Sequence, residues 1–149
     1  MERKRVIRYT IIIAFLGLIV AHIATLAFTD LDHLTLLEEY SEIKGGLIFG
    51  LIGLLISSFY FGGWAGHSIL IKKENSSVIG IETCFLVLIT ILIFVSGSLY
   101  LGFGTIEMEL KDYVIVTAFY ILMCIIVMSI PIIILGIILG LVIENDRAF

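Results

Sequence analysis

YVIVTAFYILMCIIVMSIPIIILGIILGLVI, from Tyr113 to Ile143, runs without a charged residue. As a helix rising about 1.5 Å per residue, it outruns the roughly 30 Å hydrocarbon core of a bilayer. It must tilt, kink or project. Pro131, which has no N–H for the helix ladder, is the expected kink. Strands of a membrane barrel would be about 10 residues long with alternating polarity, so a continuous run of this kind excludes them.

Three more such runs precede it: Tyr9 to Phe28 with His22 inside it, Leu47 to Ile71 with His67 near its end, and Val78 to Leu101 with Glu82 near its start. Hydrophobic residues make up 60% of the 149, charged residues 15%, and the mean hydropathy is +1.19. A soluble domain is roughly half apolar and about a quarter charged. A chain this short has too little interior to hide the excess, so the apolar side chains must face lipid. The expected fold is an all-α integral membrane protein, a four-transmembrane-helix bundle forming one membrane domain over residues 1–149. A cleaved signal peptide is the rival reading of the N-terminus, but its apolar stretch is long and Thr25-Leu26-Ala27 is a poor cleavage site.

Basic residues set the expected orientation. Arg3, Lys4, Arg5 and Arg8 precede the first run, Lys72 and Lys73 lie between the second and third, and Arg147 follows the fourth. The other two loops carry only Lys44 and Lys111, against eight acidic residues from Asp30 to Asp112. Lys and Arg beside a span stay in the cytoplasm, so both termini are expected there. The chain reads as a multi-pass protein of a prokaryotic cytoplasmic membrane.

Thr29 to Gly46, the first external loop, has its own pattern. Asp30 or Asp32 can cap a helix start and Gly45-Gly46 can end one. Leu36, Leu37, Tyr40 and Ile43 fall near one face, with Glu38, Glu39 and Glu42 mostly on the other. A short amphipathic external helix is predicted between spans one and two. The Lys72–Ser77 loop is tight, so the spans it joins should be antiparallel neighbours.

Lipid gives helices no hydrophobic reason to associate, so close packing relies on small side chains. Span one carries a stripe of Thr10, Ala14, Gly17, Ala21 and Ala24. Span two carries Gly46 and Gly50, then Gly53 and Ser57, then Gly62, Gly63 and Gly66 around Trp64. Span four has Gly136 and Gly140 four apart. These are candidate helix-packing positions, weighed against the general abundance of glycine in membrane helices. Phe61 to His67 also admits a broken helix of the kind transporters use, although an intact close crossing is the commoner outcome of such a cluster.

Glu82 is the most informative polar residue. It lies about 7 Å inside its span, and His67 lies about as deep from the same side. The functional reading is a proton or cation site, or a pH-responsive contact, formed by the two. The plainer reading leaves Glu82 at the interface, neutralising Lys72 or Lys73. His22 has no second histidine placed for haem ligation, and a helix-to-helix hydrogen bond is its default role. His67, Glu82 and Cys84 have no recognised zinc spacing. Cys84 and Cys124 lie within spans, where a small hydrophobic role is expected and no structural disulfide. No Cys-x-x-Cys, GxSxG, HExxH or Gly-rich phosphate loop is present.

No catalytic, cofactor-binding or metal residue is therefore expected, nor any nucleic-acid partner, since the few basic residues are explained by topology. The expected function is that of a small non-enzymatic membrane subunit, acting in an oligomer or with other membrane proteins through helix packing. The alternative is a channel or transporter subunit whose path forms between copies, with Glu82 and His67 in it. A membrane enzyme using those two as acid and base lacks an electrophile-stabilising site.

Overall fold

The computed structural model describes residues 2–28, 44–98 and 109–145. Among them are four helices and no strand: α1 (Glu2–Phe28), α2 (Lys44–Leu70), α3 (Ser76–Ser98) and α4 (Leu110–Asn145). Three stretches of the described residues are long and apolar enough to cross a membrane: Ile48–Leu70, Ser76–Ser98 and Ile125–Asn145. The predicted external helix falls mostly on residues 29–43, outside the described residues. Gly45 and Gly46, read from sequence as able to end that helix, instead lie in the first turn of α2.

The helices begin and end for local reasons. α1 starts at Glu2, ahead of the apolar run, because Arg3, Lys4, Arg5 and Arg8 are all compatible with helix. α2 stops where Lys73 takes a left-handed conformation, φ 59°. There the Glu74 N–H reaches back to the Ser68 carbonyl at 3.1 Å. Asn75 then caps α3: its Oδ1 accepts from the N–H groups of Ser77 at 3.1 Å and Val78 at 3.3 Å. α4 runs unbroken through Pro131 for 36 residues. α2 is likewise intact across the Phe61–His67 glycine cluster.

Helices adjacent in sequence are neighbours in space, and α4 closes back onto α1, while α1 and α3 barely touch. One end of the molecule, called basal here, gathers the start of α1, the α2–α3 turn and the end of α4. A core cluster sits there, with Val6, Ala65, Ile69, Ile79, Leu139 and Ile143 drawn from all four helices. Further from the turn, Leu54, Val87 and Ile91 form a second cluster. The outer surface is as apolar as the core: Ile12, Leu55, Ile93, Ile130 and Ile134 are all exposed. In water such a surface would be a severe liability, whereas lipid solvates it at no cost.

Candidate functional site

Among the described residues, the tightest contacts made by glycines lie at the basal crossing of α3 and α4. A β-carbon on Gly80 would run into the carbonyl oxygen of Gly136. One on Gly136 would stand 2.5 Å from the Ile81 Cα, and one on Gly140 would run into the Ser76 carbonyl. Each obstacle is backbone, so Gly136-xxx-Gly140 on one helix meets Ser76-xxx-Gly80 on the other. The Ser76 hydroxyl adds a tie, donating to Glu144 Oε2 at 2.5 Å. Sequence reading had found the α4 half of this crossing and missed Gly80 and Ser76. The four-residue spacing of those two was the signal available.

The glycines of α2 serve two neighbours. Towards α3, a β-carbon on Gly50 would stand 3.0 Å from Val95 Cγ2, and one on Gly53 2.9 Å from Phe94 Cβ. Towards α1, one on Gly62 would stand 2.7 Å from Thr10 Oγ1, and one on Gly66 3.1 Å from Val6 Cγ2. Gly46 is buried near the opposite end. Gly17 of α1 is looser, a β-carbon there standing 3.4 Å from Leu135 Cδ1.

The structure does not bring His67 and Glu82 together. Both side chains are exposed. Among the described residues no hydrogen bond or ion pair joins Glu82 to His67, Lys72 or Lys73, and Lys72 faces Glu74 at 3.7 Å instead. The reason is rotational. His67 lies one residue from Gly66, which faces α1, whereas Glu82 lies on α3 beyond the crossing that Gly80 makes with α4. The side chain of His22 lies outside the described residues. No group of three or more His, Cys, Asp or Glu among the described residues is placed to hold a metal ion.

Most hydroxyls within the helices turn onto their own backbone. Thr10 donates to the Val6 carbonyl at 3.0 Å, Ser57 to Leu54 at 3.1 Å, Thr83 to Ile79 at 2.7 Å and Ser98 to Val95 at 2.6 Å. In a medium without water this satisfies a polar group locally. Ser58 and Ser68 are buried and have no partner.

Two crevices stand out among the described residues. The first, of about 480 Å³, follows the outer face of α2 past Tyr60, Trp64 and His67 and touches Val6 of α1. The second, of about 270 Å³, lies between α1, α3 and α4 and is lined almost wholly by hydrocarbon, with the free thiol of Cys84 on its wall. His67 and Cys84 thus belong to different crevices, and Glu82 lines neither. Compared with protein-family models, curated proteins and solved structures, the chain matches none.

Proposed function

We propose that this chain is a four-span membrane protein, with α1 as the fourth span and both termini cytoplasmic. It acts without catalysis as a subunit, assembling with copies of itself or with a larger membrane protein through helix packing. The observation that carries the reading is the length of α4. Its 36 residues amount to about 54 Å of helix against a hydrocarbon core of about 30 Å. Even at a 40° tilt, near the limit seen for membrane helices, it rises about 41 Å. With its basal end fixed at the Gly80 crossing, the surplus emerges at the far end, around Tyr113 to Thr117. Along this half of α4, Val114, Ile115, Phe119, Leu122 and Ile126 are all more than half exposed. Apolar surface standing above the hydrocarbon core, in the headgroup layer, is better covered by protein.

Gly50, Gly53, Gly62, Gly66, Gly80, Gly136 and Gly140 do not support this assembly, because each is taken up by a contact within the chain. The partner-facing surface is instead the large-residue outer half of α4. Native mass spectrometry of the tagged protein, gently extracted from its own membrane, tests the reading. A mass of 16.6 kDa times a small integer above one, or a reproducible second polypeptide, is the expected result. A monomer with no companion would overturn it. A permeation path stays open only for the self-assembled outcome, since His67 and Glu82 face outward and could line a path only between copies.

A further inference from the structure

We propose that the crevice between α1, α3 and α4 is a binding slot for one acyl chain of a membrane lipid. Its shape comes from the way the helices pair. α1 packs on α2 through Gly62 and Gly66, and touches α4 through Gly17 and Leu135. α1 and α3 are left diagonal to one another, with a gap between them. Ala14 and Gly17 on α1, Leu88 and Leu92 on α3, and Met128 and Ile132 on α4 line that gap.

The slot is long and narrow. On α3 its wall runs from Cys84 to Val95, about 16 Å at the helical rise, and its volume is about 270 Å³. Its long axis follows the helix axes, the direction of the acyl chains around it. The basal end is closed by the core cluster of Val6, Ile69, Ile79 and Leu139, onto which Cys84 and Leu135 pack. The slot is half-open, so a chain enters from the bilayer with its headgroup towards the far end, away from the α2–α3 turn.

The chemistry of the wall excludes water. A buried water needs two to four polar partners, and apolar cavities stay dry or take up apolar guests. Thr10 has already given its hydroxyl to the Val6 carbonyl, and the Cys84 thiol is only a weak donor. A linear apolar chain is the ligand that satisfies such a wall. The inference rests on the membrane placement of the chain and not on its being a subunit.

The test uses the full chain in phosphatidylcholine vesicles that contain a phosphatidylcholine with a diazirine in one acyl chain. After irradiation, adducts are mapped by peptide mass spectrometry. Adducts at Cys84, Leu88, Met128 and Ile132 are expected at least threefold above those at the outward-facing Ile130 and Ile134. Ala14→Phe, which fills the slot, should bring the slot adducts down to the outward level and leave the outward ones unchanged. Slot labelling equal to or below the outward level in the wild-type protein would overturn the proposal, and so would slot labelling that persists in a folded Ala14→Phe protein. If that variant does not fold, the wild-type pattern decides alone. Failure of the subunit reading appears in the mass measurement and leaves this labelling untouched.

Discussion

Gly80 of α3 lies against the carbonyl of Gly136 of α4 with no space for a β-carbon on either helix. Two opposing effects act on a Gly→Ala change there. Alanine improves helix propensity by about 1 kcal/mol. Overpacking costs about 1–3 kcal/mol, and here it falls on backbone, which cannot rotate away. The collision wins. Gly80→Ala and Gly136→Ala are each expected to lower stability by up to about 2 kcal/mol in detergent unfolding. Gly97→Ala is the control. A β-carbon there would stand 3.8 Å from the Tyr113 hydroxyl, an ordinary contact, so it should be neutral or slightly stabilising.

Ser76 couples the turn to the end of α4. Its hydroxyl, nearly buried, donates to the carboxylate of Glu144, whose own side chain is exposed. A hydrogen bond to a charged acceptor stabilises more than a neutral one, but exposure of the acceptor pulls the value towards the ordinary range. Ser76→Ala is expected to cost about 1 kcal/mol. Glu144→Gln, which keeps an acceptor oxygen, should cost less. Equal losses in the two unfolding curves would show that the bond depends on the carboxylate charge, whereas a loss in Ser76→Ala with none in Glu144→Ala would show that the hydroxyl matters for packing and not for this bond.

Asn75 organises the start of α3. Its side-chain oxygen takes two N–H groups that the helix itself cannot satisfy. Asn75→Ala is expected to lower stability by about 1 kcal/mol, and Asn75→Asp to retain most of it. Amide hydrogen exchange at Ser77 and Val78 reads the cap directly and should accelerate in the alanine variant alone.

How much of this was legible in the sequence depends on which physical property each feature uses. The apolar runs were legible because hydrocarbon demands them, and among the described residues helix covers 47–70, 78–98 and 113–143 of them. The four-residue spacing of Gly136 and Gly140 marked a contact surface, but spacing on one helix does not name its partner. Ser76 and Gly80 passed unnoticed because Ser76 reads as loop and Gly80 stands alone until Ser76 is counted as helix. The stripe of Thr10, Ala14 and Gly17 was legible as small, yet small residues close a gap when opposed and leave one when not. Ala14 and Gly17 line a crevice, a fact that lives in the diagonal placement of α1 and α3. Distance along the helix from the α2–α3 turn was readable for His67 and Glu82. Rotation about the helix axis was not, and rotation decides whether two side chains at one depth can meet.

His67 and Glu82 therefore make a direct test of rotation against depth. Were they an ion pair within a partly apolar layer, removing one partner would strand the other. The two changes would then be strongly non-additive, by about 0.5–3 kcal/mol as for groups in contact. The structure leaves both exposed and joined by no bond among the described residues. In a double-mutant cycle of His67→Ala and Glu82→Gln on the monomeric protein, the coupling is expected to stay within about 0.3–0.5 kcal/mol, the range for independent sites. The same cycle in the assembled form carries separate information. Coupling that emerges only on assembly would place the two side chains opposite one another across an interface between copies, the one geometry in which they could share a proton or an ion.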